Sequence, residues 1–208
     1  MSELAGIILC GGNSLRMRKS KALLPFGEEG ETMLTHVLGV VREVCDPVVI
    51  VAAQDQALPE LSDDVQVVRD PEPDQGPLVA FATGMKSLPE STESVFVCSC
   101  DLPLLTPEFI TGLFNYSNKL SEAVIPKENE QLHPLCAIYR VSVLTNIESL
   151  LHSQENPSMH RLLKQLEMGR AIEGDQLRLI DPKGVCLLNV NRPEEYQQAL
   201  EWYERHIK

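Results

Sequence analysis

Leu4-Ala5-Gly6-Ile7-Ile8-Leu9-Cys10-Gly11-Gly12 is the stretch on which the fold turns. A short, continuous apolar run ends on two adjacent glycines, the pattern of a buried parallel strand emptying into a loop. The chain that follows repeats the theme. Thr32 to Cys45 sets Leu34, Val37, Leu38, Val41 and Val44 at helical spacing. Pro47 to Ala53 reads as a second buried strand and Val65 to Arg69 as a third, followed by the turn-rich Asp70-Pro71-Glu72-Pro73-Asp74-Gln75-Gly76-Pro77. A helix is expected over about Leu78 to Leu88, then a strand over Ser94 to Ser99 that Asp101-Leu102-Pro103 breaks at its carboxyl end. Thr106, with Pro107 at the first helical position and Glu108 in the first turn, opens another helix. Strand and helix alternating at this spacing predict an α/β protein: an open, mostly parallel twisted sheet with helices on both faces.

Beyond Ser121 the pattern loosens. Ala123 to Pro126 and Pro134 to Tyr139 read as strands, and Val141 to Leu151 and Met159 to Leu166 as helices. Val185 to Val190 reads as a late strand, and Pro193 to Ile207 as a terminal helix with Tyr196, Leu200, Tyr203 and Ile207 on one stripe. No repeat or linker-like tract interrupts the chain. One domain over 1–208 is expected, its first half (about 1–120) built for a nucleotide and its second (about 121–208) completing the pocket for an acceptor.

Composition narrows the partners. The 208 residues are 43% hydrophobic and 23% charged, an ordinary globular balance, with a net charge of −12. Phosphate-rich nucleic acid and anionic membranes repel such a chain, so neither is expected as a partner. The longest apolar stretch, Pro47 to Ala53, falls far short of the ~20 residues of a membrane helix. No basic segment precedes an apolar one at the start, so a cytoplasmic location is expected. The charge is uneven, however. Arg16, Arg18, Lys19 and Lys21 all fall between Leu4 and Gly27, where no acidic residue occurs. A compact positive segment on so negative a chain suits a local anion site, and equally a solvated basic turn.

Six cysteines, at 10, 45, 98, 100, 136 and 186, form no C-x-x-C pair. They read as reduced, buried thiols acting as small hydrophobes. Cys98 and Cys100, two apart in an apolar run, point to one face of a strand.

In open α/β sheets ligands sit beyond the carboxyl ends of strands, near the point where strand order reverses. Three loops leaving strand ends carry unusual residues. Leu9-Cys10-Gly11-Gly12-Asn13-Ser14-Leu15-Arg16-Met17-Arg18-Lys19-Ser20-Lys21 has the spacing of neither a Walker loop nor a G-x-G-x-x-G turn. Its chemistry is still that of a phosphate cradle, since paired glycines let backbone N–H groups approach an anion that Arg16 and Lys21 neutralise. Asp70 and Gly76 bracket the second loop, and Asp101 stands on the third. Asp101 before Leu-Pro is also a fit turn or cap residue, Asp70 a fit turn residue before Pro71, and Lys21 a fit surface charge. His133 suits a core or rim histidine as well as a substrate contact. Asn189 and Asn191 suit helix capping before Pro193 as well as binding.

The string L-x-G-G-x-S-x-R-M-x-x-x-K-x-L-L-P, beginning at Leu9, resembles the signature of the nucleotidyltransferases that modify molybdopterin, the guanylyltransferases above all. Four further segments fall in the family's order: Arg69-Asp70 with Gly76-Pro77-Leu78, then Cys100-Asp101-Leu102-Pro103, then His133-Pro134-Leu135 with Tyr139, then Asn189-Val190-Asn191-Arg192-Pro193-Glu194-Glu195. The resemblance covers nearly the whole chain. It implies a Rossmann-like nucleotidyltransferase fold and transfer of GMP from GTP to the phosphate of molybdopterin, with release of pyrophosphate. It implies Mg²⁺, replaceable by Mn²⁺, on Asp101, and catalysis by Arg16, Lys21 and Asp101. Nucleotide contacts are implied at Leu9, Cys10, Gly11, Gly12, Ser14, Arg16, Lys21, Asp70, Gly76 and Asp101, and acceptor contacts at His133, Asn189 and Asn191. Molybdoenzymes or cofactor-insertion proteins are the protein partners it brings into view. Alternatives within its reach are cytidylyl transfer to the same acceptor, nucleotidyl transfer to a sugar phosphate, or a degenerate member that binds without transfer. Two positions depart from the pattern. Arg18 stands where the family usually has Gly, and Ala53 where guanylyltransferases usually offer an Asn to the base, which leaves base recognition to backbone groups or Gln54.

Overall fold

The computed structural model describes residues 4–11, 20–70, 75–153 and 156–207. Its centre is an open sheet in which β3 (Gln66–Asp70), β2 (Val48–Ala53), β1 (Leu4–Leu9) and β4 (Ser94–Ser99) run side by side and parallel. The six residues of β1 are all buried, as a strand flanked on both edges and covered on both faces requires. β3, at the edge, is largely exposed.

Past β4 the sheet changes sense. β7 (Cys136–Arg140) pairs antiparallel with β4, and β5 (Ala123–Glu128) antiparallel with β7. β8 (Gly169–Ile172) closes the far edge parallel to β5, while the two-residue β6 (Gln131–Leu132) folds back on the end of β5. One sheet therefore runs through both halves of the chain.

Helices cover both faces, as expected. α1 (Met33–Arg42), α3 (Pro107–Asn115) and α6 (Gly174–Ile180) bury Leu34, Val37, Val41, Phe109, Leu113 and Leu177 on one face. α2 (Pro77–Lys86), α4 (Leu144–His152) and α5 (Met159–Gln165) bury Leu78, Phe81, Ile147, Leu150 and Leu162 on the other. Local chemistry starts α1, α2 and α3 where the sequence reading put them, whereas α4 begins three residues after the expected Val141, behind a 3-10 turn, and α6 was not expected. Thr32 and Thr106 accept N–H bonds from Thr35 and Phe109, capping α1 and α3, and Pro77 and Pro107 occupy first turns that need no N–H. The helix after the second loop ends at Lys86, short of Leu88.

α7 (Pro193–His206) packs Ala199 and Tyr203 against Leu24, Phe26 and Met33, tying the end of the chain to the segment after the first loop. Ile207, the last member of the expected stripe, is exposed.

One expected strand is absent. Val185, Cys186, Leu187 and Val190 are buried, as an apolar run should be, yet the run pairs with no strand. Its backbone finds other partners. The Asp181 carboxylate, 6% exposed, accepts the N–H groups of Val185 (3.1 Å) and Cys186 (2.9 Å), and Val190 N–H donates to the Asp101 carbonyl (2.9 Å). A buried carboxylate thus does what a neighbouring strand would have done.

All six cysteines are free and buried, and all lie on the α1/α3 face of the sheet. Burial pushes the Cys45 and Cys186 thiols up to about 12. Cys98 and Cys136 are raised for the same reason. The Cys10 thiol is raised first by a hydrogen bond shared with Cys100 and then by burial.

Candidate active site

The strand order 3-2-1-4 places the switch point between β1 and β4, with Leu9 paired to Ser99 at their carboxyl ends. Gly11 and Asp101 each lie two residues beyond, so the loops singled out in the sequence leave the sheet side by side. Cys100 N–H donates to the Leu9 carbonyl (3.0 Å), holding the two exits together.

Three distant stretches converge there on one amine. Lys21, which opens a short 3-10 turn (Lys21–Leu23), points its Nζ 2.8 Å from Asp101 Oδ2 and 2.7 Å from Asn191 Oδ1. The Lys21 and Asp101 side chains are only 16% and 17% exposed. The other Asp101 oxygen accepts the Ser99 hydroxyl. Asp101 is therefore aimed by a partner on its own strand and neutralised by a cation from the first loop. It caps no helix; Thr106 does that for α3. Asn191 likewise caps nothing: Glu195 accepts the N–H groups of Asn191 (2.6 Å) and Arg192 (3.0 Å), which frees the Asn191 carboxamide for Lys21.

The second loop leaves the sheet at the end of the edge strand β3, two strands over from β1. Asp70 ends β3, paired in register with Ala53, and Gly76 initiates α2 at a φ of +86°, a conformation open to glycine and costly to residues with a Cβ. Arg69 donates to the carbonyls of Ala53 (2.9 Å) and Gln56 (2.8 Å), bracing the turn after β2. Leu9 and Cys10 are buried at the end of β1, and Gly11 is exposed. A Cβ on Gly11 would meet Ala53 N at 3.7 Å, an ordinary contact, so among the described residues packing does not demand glycine there.

Of the remaining expected residues, Gly12, Ser14 and Arg16 lie outside the described residues, as do Arg18 and Lys19. His133 is half-buried after β6, and its N–H donates to the Pro126 carbonyl (2.9 Å). Burial lowers its pKa against an opposing influence from Glu128, so the imidazole is neutral at pH 7. Asn189 is exposed. Tyr139, in the same sequence landmark as His133, is core: it packs on Phe81 (ring centroids 5.0 Å) and donates its hydroxyl to the Pro134 carbonyl (2.9 Å). Sequence reasoning passed over Ser99, Asp181 and the bracing role of Arg69. Ser99 was the most legible, since residues two apart at a strand end share a face.

A MobA-like NTP transferase domain model matches residues 6–170, about four-fifths of the chain and every strand except the first two residues of β1 and the last two of β8. The chain belongs to the MobA-like NTP transferases. A Mycobacterium avium (strain 104) protein named as a probable molybdenum cofactor guanylyltransferase is 34% identical over 91% of this chain and 91% of its own. Among solved structures, the molybdopterin-guanine dinucleotide biosynthesis protein A of Archaeoglobus fulgidus superposes with a TM-score of 0.80, at 21% identity, over 97% of this chain and 99% of that one. A Mycobacterium tuberculosis H37Rv protein in complex with manganese does so at 0.67, with 16% identity, over 96% and 98%. Both structures share the fold. The expected family and nucleotidyltransferase fold are thereby met in this MobA-like chain.

Among the described residues, no group of three or more His, Cys, Asp or Glu side chains is arranged to hold a metal unaided. Asp101 offers one carboxylate beside a cation. That donor set suits a hard ion that keeps waters and phosphate oxygens as its other ligands, and no ion that demands a protein cage.

Proposed function

We propose that the chain transfers GMP from GTP to the phosphate of molybdopterin, forming molybdopterin guanine dinucleotide and pyrophosphate. The convergence of Lys21, Asp101 and Asn191 at the sheet's switch point carries this reading, because it joins the phosphate-cradle loop, the third loop and the acceptor half around one cation. The name borne by the Mycobacterium avium relative supports the choice of substrates.

In the reaction an oxygen of the acceptor phosphate attacks the α-phosphorus of GTP, and the bond to the β-phosphate breaks. A phosphate monoester has a second pKa of about 6 and is largely dianionic at neutral pH, so no protein base is required. The work left to the protein is to hold two polyanions together and to neutralise charge as pyrophosphate departs. Lys21 does this from the position its contacts give it. Gly11, which no packing among the described residues requires to be glycine, would let phosphate oxygens reach the backbone. Asp101 would hold a divalent ion, Mg²⁺ with Mn²⁺ as a substitute, and the manganese complex of the Mycobacterium tuberculosis neighbour supports this use of the fold. Such an ion supplies charge neutralisation and alignment of the phosphates. Asn191, exposed and hydrogen-bonded to Lys21, would meet the incoming molybdopterin phosphate, and Asn189 and His133 are proposed as further acceptor contacts. The two halves of a single domain, about 1–120 and 121–208, would thus serve nucleotide and acceptor.

Incubation with GTP, Mg²⁺ and molybdopterin should release pyrophosphate and yield the dinucleotide. A panel of nucleotides in the same assay reads base preference. Binding of GTP without pyrophosphate release would mark the chain as a non-transferring member.

A further inference from the structure

We propose that Gln56 is the residue through which this chain reads the purine base of its nucleotide; the inference rests on the GTP reading above. Lys21 and Asp101 draw the phosphates to the β1/β4 side of the site. A nucleoside joined to those phosphates must extend away from them, and the next strand across β1 is β2. The base therefore comes to the turn after Ala53.

At that turn Ala53 has nothing to offer. Its side chain is a methyl, its N–H donates to Gln56 Oε1 (3.2 Å), and its carbonyl accepts from Arg69 (2.9 Å). Gln54 is exposed. Gln56 is different. Cys10 N–H donates to the Val51 carbonyl (2.8 Å), and a continuing parallel ladder would next join the Cys10 carbonyl to Ala53 N–H. The Gln56 carboxamide occupies that rung instead: Oε1 takes the Ala53 N–H, and Nε2 donates to the Cys10 carbonyl (2.9 Å). One partner is a donor and the other an acceptor, so the orientation of the amide is settled by its surroundings. Among the described residues each terminal atom keeps one unused capacity, a second lone pair on Oε1 and a second hydrogen on Nε2. A half-buried donor–acceptor pair, fixed in direction and adjoining the exposed Gly11, is what a base edge needs to be read. Guanine answers it with O6 and N1–H. A pyrimidine, with the shorter ring system, falls short of a group set this far across the sheet from Asp101.

The test is steady-state transfer by wild-type protein, Gln56→Ala and Gln56→Met with GTP, ATP and CTP, beside melting temperatures. In both variants KM for GTP should rise about tenfold or more, kcat should stay near wild type, and the preference for GTP over CTP should shrink. An equal loss of kcat with all three nucleotides would mean that Gln56 only braces the turn, and unchanged KM and selectivity would mean that it touches no base; either overturns the proposal. Failure of the wild-type protein to use GTP at all would instead refute the functional reading beneath it. Should Gln56→Ala melt far below wild type, Gln56→Met, which retains most of the volume, carries the comparison.

Discussion

Asp101→Asn separates the chemistry of the site from its architecture. The substitution keeps the shape of the side chain, and the amide oxygen can still accept the Ser99 hydroxyl. The backbone bond from Val190 N–H to the Asp101 carbonyl is untouched. What changes is the face toward Lys21, where an NH₂ group now meets an ammonium 2.8 Å away, donor against donor. A surface ion pair is worth about 0–1 kcal/mol, and removing one partner of a buried pair costs about 3–5 kcal/mol. With side chains 16% and 17% exposed, and Lys21 still held by Asn191, this pair lies between those limits. We expect a loss of about 1–2 kcal/mol, which lowers the melting temperature of a chain this size by about 2–8 °C. Transfer should fall far more, by about 10²–10³-fold, because the lost carboxylate is the one expected to hold the ion that gathers the phosphates. Pyrophosphate release at saturating GTP and Mg²⁺, read beside a thermal melt, checks both numbers. Turnover near wild type would refute the role of Asp101. A collapse of the fold would show that the carboxylate serves structure rather than reaction.

Lys21→Ala should weaken GTP binding and slow transfer, whereas Lys19→Ala should do little; a nucleotide titration giving the opposite ranking would overturn the assignment of the loop lysine. Asp181→Asn leaves one oxygen to serve two N–H groups, so stability should drop by about 2–3 kcal/mol. Thermal denaturation checks this, and an unchanged midpoint would mean that residues 185–190 are held otherwise. The thiols should resist modification. A raised pKa keeps the neutral thiol as pH climbs, and with Cys45 and Cys186 near 12 only about one molecule in 10⁴ is thiolate at each at pH 8. A thiol reagent at that pH should label the native protein slowly and all six cysteines once it is unfolded, and rapid labelling of Cys45 or Cys186 in the native protein would contradict their burial.

Local pattern alone was enough for much of this molecule. The apolar run of β1, the helical spacing of α1 and the Thr-Pro starts are short-range signals, and short-range steric and hydrogen-bonding rules decide them. The alternation of strand and helix carried the sheet's class, and the loops at its carboxyl end carried Lys21 and Asp101 as residues worth following, while Asn191 was implied by the family resemblance. The second half was harder to read. β8, at Gly169–Ile172, is four residues long and is defined by its pairing to β5; no periodicity can announce so short a segment. Val185 to Val190 has a strand's composition and none of its pairing, because Asp181 and the Asp101 carbonyl supply partners from outside the run. The same lesson holds at the site. Sequence could name Lys21 and Asn191 separately, but their meeting across 170 positions exists only once α7 has docked on the segment after the first loop. Gln56 is the clearest case. Nothing three residues past a strand end distinguishes one glutamine from another until the β1–β2 ladder stops one rung short and leaves two backbone groups that the Gln56 carboxamide satisfies.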